Sequence, residues 1–215
     1  AGAAFAVLAI YVLTLLVPEW LREASNGKPI GVKLAAGHIE ADLEFALQAG
    51  PDFVTIDGRP GGIYNASKFI KLATSLPTIY ALAKARKFLD RNHAEGVSLI
   101  ITGGLRISPD FAKALALGAD AVAIATSALI ALGCRQDRLC TTGCCPTGIA
   151  KQTNESCEKL NLDNAVERVS NFIRVSTEEM VQFAKLTGHH NIHDLNLKDL
   201  YTCNSEIAKR TGISS

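Results

Sequence analysis

The sequence predicts an α/β protein organised on a parallel sheet, and three observations carry that expectation. Short, near-continuous apolar runs recur between residues 30 and 125. Segments of helical periodicity separate them. Turn residues, mostly glycine with proline or aspartate, close each unit. Apolar runs of this kind read as strands covered on both faces, the signature of a parallel sheet flanked by helices. The spacing fits either a (β/α)8 barrel or a doubly wound sheet, and four βα units are visible, half of a complete barrel.

Taken in order, residues 30–35 (Ile-Gly-Val-Lys-Leu-Ala) form the first expected strand, with Lys33 buried among apolar neighbours. Residues 40–49 have helical periodicity and stop at Gly50, a residue suited to the left-handed position after a helix. Residues 52–57 read as the second strand, followed by the turn Gly-Arg-Pro-Gly-Gly at 58–62. Residues 67–92 are helical with a break at Pro77. Residues 97–102 form a third strand that ends in Gly103-Gly104. Ser108-Pro109 opens a helix, serine as the cap and proline in the first turn, and Gly118 ends it. Residues 121–125 are a fourth strand, and 126–132 begin the next helix. Beyond Cys157 the strand signal stops, and 164–175, 176–187 and 196–207 read as helices, with Ser-Thr-Glu-Glu at 176–179 as a capping sequence.

Composition narrows the function classes. Of 215 residues, 48% are hydrophobic and 20% charged, which suits a globular core. A net charge of +1 and 6% aromatic residues provide no basic, aromatic-studded surface, so no nucleic-acid partner is expected. Residues 1–17 carry no charge. They are read as a buried segment or as a membrane association, at the short end of the roughly 20 residues a spanning helix needs. They lack the basic start and cleavage site of a secretory signal. The chain does not begin with Met, so further residues are expected ahead of Ala1.

Ligands of α/β sheets bind at the carboxyl ends of the strands, which singles out Lys33, Asp57, Gly103-Gly104 and Ala125-Thr126. A buried lysine needs a carboxylate or an anionic cofactor, and Asp57 on the next strand is the candidate partner. Glycine loops and helix starts on consecutive strands suit a phosphate, although tight turns alone account for them equally well. Four of the six cysteines fall within residues 134–145. Bunching of this kind favours a reducing compartment, such as the cytoplasm, and cofactor ligation over a disulfide framework. The spacings of Cys134, Cys140 and Cys145 differ from the C-x2-C of structural zinc and bacterial ferredoxin sites. A cluster held by three thiolates, a zinc site and free buried thiols all remain open on the residues alone. His189, His190 and His193 read as surface or helix-end residues.

Several stretches together resemble the FMN-binding synthase domain of glutamate synthases, in particular the archaeal-type proteins. These are Gly-Lys-Pro-Ile-Gly-Val-Lys-Leu-Ala-Ala-Gly-His (27–38), Asp-Phe-Val-Thr-Ile-Asp-Gly (52–58), Ile-Ile-Thr-Gly-Gly-Leu-Arg (100–106), residues 117–129, and the cysteine motif ending Cys-Pro-Thr-Gly-Ile-Ala at 145–150. The resemblance runs from about Trp20 to the C-terminus. It implies the C-terminal half of a (β/α)8 TIM barrel followed by a helical tail. It also implies FMN at the strand ends, a [3Fe-4S] cluster on Cys134, Cys140 and Cys145, and Cys144 as a bystander. Lys33 would be the flavin-side lysine, and Gly103-Gly104 and Ala125-Thr126 the flavin-phosphate loops. The implied activity is an oxidoreductase reaction on CH–NH2 groups: L-glutamate formed from 2-oxoglutarate and ammonia through 2-iminoglutarate. Electrons would come from an NAD(P)H-oxidising subunit or ferredoxin.

On this basis the chain divides into an apolar segment (1–19), a partial FMN-binding barrel (20–133), an iron–sulfur cysteine loop (134–150) and a helical tail (151–215). Two departures from the family pattern stand out. The earlier barrel strands are not visible, and residues 1–17 do not match them. The family loop Gly-Gly-Thr-Gly-Ala reads Gly-Gly-Ile-Tyr-Asn at 61–65, where bulky side chains replace a close backbone approach. The alternative is a non-catalytic half barrel or assembly subunit that needs a complementary barrel half, because an open sheet edge must be covered.

Overall fold

The computed structural model of the chain describes residues 19–61, 68–150 and 160–215. Residues 1–17 and the departure at 63–65 therefore lie outside the described residues. Two compact units share the chain. Among the described residues, one draws on those between 19 and 104, 113–123 and 193–215, the other on 105–112 and those between 124 and 192.

The first unit is built on four parallel strands: β1 (Gly31–Ala35), β2 (Phe53–Asp57), β3 (Ser98–Thr102) and β4 (Ala121–Val122). Their spatial order is β1-β2-β3-β4. Every strand lies beside its neighbour in sequence, with no reversal of direction. That is the order of a singly wound barrel; a doubly wound sheet reverses at a switch point. The two fold classes left open by the spacing are thus separated by topology, in favour of consecutive units of a (β/α)8 barrel. The register sets Gly31 beside Phe53, Ala35 beside Asp57, and Asp57 beside Thr102.

Helices α1 (Ile39–Leu47), α2 (Lys68–Thr74) and α3 (Thr78–Arg91) connect the strands, and α4 (Ser108–Ala116) follows β3. Pro77 separates α2 from α3 as expected, since its ring excludes a helical hydrogen bond. Along α3 the residues Ala81, Leu82, Ala85 and Leu89 are buried. They meet the buried strand positions Val54, Ile56, Leu99 and Ile101, forming the core of this unit. Alternate residues point to the other face, where Gly31, Lys33 and Ala35 of β1 are exposed. The expectation that the strands are covered on both faces therefore holds for one face only at β1. Right-handed βα connections place their helices on one side of a singly wound sheet, so the described elements leave β1's second face bare.

β4 is shorter than expected. Two residues pair with β3, although the Ala123 amide still donates to the Ile101 carbonyl at 2.9 Å. α7 (Ser205–Thr211) packs on α3 and completes the unit. Here the structure corrects the sequence, which suggested one helix over 196–207. Asn196 and Asp199 instead form a reciprocal capping box around a single 3-10 turn. Leu200 is extended, and Asn204 starts α7 by accepting from the Glu206 and Ile207 amides.

The second unit contains α5 (Thr126–Leu132) and the 25-residue helix α6 (Leu162–Leu186), which pack on each other. Two separate helices were expected across 164–187. The single helix arises because Asn161 supplies the cap, accepting from the Asn164 amide at 3.0 Å. Ser176 does not start a new helix; it is buried in mid-helix, where apolar periodicity runs straight through it. Farther along, the Glu179 carboxylate accepts a short hydrogen bond from the buried Ser108 hydroxyl.

Ile101 is fully buried beneath α3. Truncation to alanine there leaves a cavity as well as lost apolar contact. Ile101→Ala is expected to destabilise the fold by about 2–5 kcal/mol, read as a lowered urea midpoint with unchanged slope.

Candidate functional site

The carboxyl ends of β1, β2 and β3 carry the residues with chemical character. Parallel pairing brings Lys33 and Asp57 into reach, and Lys33 Nζ lies 2.9 Å from Asp57 Oδ2. The expected partnership is therefore present, but Lys33 is not the buried residue that the sequence suggested. Its side chain is 61% exposed, whereas that of Asp57 is 7% exposed. The reason is β1's bare face: the apolar neighbours of Lys33 in sequence point to the opposite side of the strand. A buried carboxylate thus anchors a lysine whose stem reaches into the open.

The loops after β2 and β3 lock together at the same end. The Gly58 amide donates to the Thr102 carbonyl at 2.9 Å, and a turn closes with the Gly61 amide on the Gly58 carbonyl at 2.8 Å. Gly103 and Gly104 have φ of +110° and +80°, a region that side-chain-bearing residues avoid. A Cβ on Gly103 would fall 2.7 Å from the Gly58 nitrogen, and one on Gly104 would fall 2.5 Å from Pro60 Cβ. Close packing of the two loops therefore already requires both glycines. Thr78, at the start of α3, pins the arrangement by donating from Oγ1 to the Gly103 carbonyl at 2.6 Å. Sequence reasoning passed over Thr78; it marked a break at Pro77 but not the distant carbonyl that the next residue serves.

In the second unit, Ala125-Thr126 form the start of α5. No side chain caps this end. Ser127, also overlooked in the sequence, is buried, and its hydroxyl has no hydrogen-bond partner among the described residues. A buried hydroxyl beside uncapped amides is a donor set that suits an oxyanion, and to that extent the residues fit a flavin phosphate.

The cysteine loop follows α5, which ends at Gly133 in a left-handed conformation. Gln136 and Arg138 also adopt positive φ, 61° and 59°. Cys134, Cys140, Cys144 and Cys145 are free thiols, as is Cys203; Cys157 lies outside the described residues. Among the described residues, no three cysteine, histidine or acidic side chains converge into a metal-binding group. The Gln136 side-chain amide donates to Cys134 Sγ at 3.3 Å. Cys145 Sγ lies 3.4 Å from the Thr147 hydroxyl. That hydroxyl, then the Ala150 amide, with smaller help from the Thr147 and Ile149 amides, lowers the Cys145 thiol from 9.0 to about 7. The turn Cys-Pro-Thr-Gly-Ile-Ala is thus a cradle of donors around one sulfur. Such a donor set fits a thiolate metal ligand, whose sulfur is stabilised by N–H groups.

No helix among the described residues is long and apolar enough to cross a membrane.

Comparisons with known proteins bear on these features. A family model described as a conserved region in glutamate synthase matches residues 10–190. The match begins ahead of Trp20, where the resemblance in the sequence was thought to start, and stops short of the C-terminus. The archaeal glutamate synthase [NADPH] of Archaeoglobus fulgidus is 37% identical over 178 residues, 81% of this chain and 35% of that protein. The archaeal-type glutamate synthase [NADPH] of Thermotoga maritima is 38% identical over 181 residues, with the same coverage. A glutamate synthase large subunit-like protein of Rhizobium meliloti is 34% identical, covering 87% of this chain and 47% of its own length. The chain thus spans about a third to a half of the curated relatives it matches. Among solved structures, the recombinant flavin-binding domain of baker's yeast flavocytochrome b2 aligns with 88% of this chain and 42% of its own. Its TM-score is 0.45 at 17% identity, too loose a likeness to add to what the sheet order establishes.

Three outcomes follow from this geometry. Gly103→Ala is expected to cost about 2 kcal/mol or more, combining left-handed strain with the clash on Gly58, as measured by urea unfolding. In metal-free protein, alkylation of Cys145 followed by mass spectrometry should rise with pH through about 7. Thr147→Val removes the leading donor to the thiolate, so this titration should move to higher pH.

Proposed function

The chain belongs to the glutamate synthase family, and on that premise we propose that it forms the carboxyl-terminal part of a flavin- and iron–sulfur-dependent barrel that makes L-glutamate reductively. In the proposed reaction, 2-oxoglutarate and ammonia condense to 2-iminoglutarate with loss of water. A hydride adds to the imine carbon and a proton to its nitrogen. When bound, FMN would supply the hydride and a [3Fe-4S] cluster the path for electrons from an NADPH-oxidising subunit or ferredoxin.

The residues of this chain have distinct parts in that scheme. Lys33 would place a positive charge against the flavin, and Asp57, buried and 2.9 Å away, would hold the ammonium in position. The Gly103-Gly104 backbone, tied down by Thr78, would face the flavin phosphate. The uncapped start of α5 at Ala125-Thr126, with the Ser127 hydroxyl, would donate to phosphate oxygens. Cys134, Cys140 and Cys145 would ligate the cluster, with Cys145 already held toward its thiolate form by the turn that follows it. β1 and β4 are the two edges of the described sheet. The remaining barrel strands would come from sequence beyond these residues or from a complementary chain, which would also cover the bare face of β1.

The observation that carries the proposal is the pairing of an exposed lysine with a buried carboxylate at the strand ends, in a chain that matches the family over residues 10–190. Removing the lysine leaves the buried Asp57 carboxylate without its cation, which destabilises a fold more than the loss of a surface pair does. Lys33→Gln is therefore expected to lower the unfolding midpoint and, in protein kept folded below that midpoint, to lower bound FMN at least tenfold, measured by flavin fluorescence after gel filtration. Unchanged flavin content would remove Lys33 from the proposed site. Iron and sulfide analysis of anaerobically purified protein checks the cluster: Cys145→Ser should lose most of both.

A further inference from the structure

We propose that the cleft formed by α1, α3 and α7 in the first unit binds a nucleoside mono- or diphosphate, at a place separate from the strand-end residues. The cleft measures about 870 Å³, within the usual range for a small organic ligand. One stripe of α3 forms its floor: Tyr80, Lys84, Lys87 and Arg91 follow at spacings of four, three and four, and so share a helix face. None of Lys33, Asp57, Gly103 or Gly104 lines it.

Charge indicates the ligand. Five cations line the cleft, Arg59, Lys84, Lys87, Arg91 and Arg210, against three carboxylates, Glu40, Asp90 and Glu206. Glu40 is shared by Lys84 at 3.0 Å and Arg91 at 2.5 Å. Glu206 pairs with Arg210. Asp90 is taken by Arg86, which is not part of the lining, at 2.7 Å. Among the described residues, Lys87 and Arg59 then have no carboxylate. Lys87 Nζ donates to the Arg210 carbonyl at 3.3 Å and Arg59 Nε to the Ser75 carbonyl at 2.8 Å. Each keeps further N–H donors, three on an ammonium and five on a guanidinium in total. Two uncompensated cations with spare donors call for an anion of about two charges, and phosphate oxygens match both donor types.

Shape adds the second half of the ligand. Leu76, Pro77 and the Tyr80 ring make an apolar wall, and the Arg210 guanidinium stacks over that ring at 5.7 Å from its centroid. An inorganic anion would leave this wall and most of the volume unused. A ring joined to a phosphate uses both.

Calorimetric titration of the chain saturated with FMN, using ADP, adenosine and inorganic phosphate as separate probes, tests the assignment. Saturation keeps any flavin site filled, and the Lys87→Gln arm reports on the cleft even if the chain takes up no FMN. ADP should bind at least tenfold more tightly than adenosine or phosphate. Lys87→Gln and Arg59→Gln should each weaken ADP about tenfold while keeping the wild-type circular dichroism and unfolding midpoint. Lys113→Gln, an exposed lysine outside the cleft, should change nothing. Absence of ADP binding, equal binding of phosphate or adenosine, or ADP affinity indifferent to Lys87→Gln and Arg59→Gln would overturn the proposal.

Discussion

The parallel register of the first three strands is the constraint on which the rest of the described structure depends. Pairing Ala35 with Asp57 and Asp57 with Thr102 brings three strand ends to one level. A slip of one residue would turn Val54, Ile56, Leu99 and Ile101 away from α3 and expose the core. The same slip would separate Lys33 from Asp57. Core burial and the placement of the charged pair are therefore enforced together, because strand side chains alternate with a period of two.

Above that register, the strand-end loops are held by backbone rather than by side chains. A Cβ on Gly103 would run into the Gly58 backbone, and one on Gly58 would run into Thr78. A single threonine hydroxyl from α3 ties this layer to the helix beneath it. Rigid support of this type suits a site that must hold a ligand at a strand end, because the residues facing the ligand need no rearrangement to meet it. α3 serves two surfaces at once. One stripe buries small and branched apolar residues on the sheet, and the other presents an aromatic ring and cations to α1 and α7.

The second unit is organised differently. A long amphipathic helix packs on α5, and the cysteine loop leaves the end of that helix through left-handed positions at Gly133, Gln136 and Arg138. The turn after Cys145 collects its donors from residues two, four and five positions onward. Its electrostatic effect on the sulfur is consequently a local property of residues 145–150.

Strand and helix identity in residues 30–132 was legible in the sequence because it rests on local periodicity: β1, β2, β3, α1, α3 and the break at Pro77 all lie within two residues of expectation. The family was equally legible, since it rests on residue types at fixed spacing, and Asp57 was already the expected partner of Lys33. Long-range packing decided the remainder. Sheet order chose barrel over doubly wound topology. Among the described residues no layer covers the second face of β1, and Lys33 is exposed there. Continuous packing along α6 overrode the capping sequence at 176–179, and a capping box shortened the helix expected at 196–207. Thr78 and Ser127 acquired meaning through partners, or the want of one, that no neighbouring residue announces. Sequence by itself determined the strands and helices of residues 30–116, because those follow from local preference, and it nominated the residues proposed to carry chemistry. Tertiary structure alone decided which of those residues meet, which are covered and which remain open to a ligand, because burial and contact depend on segments far apart in the chain.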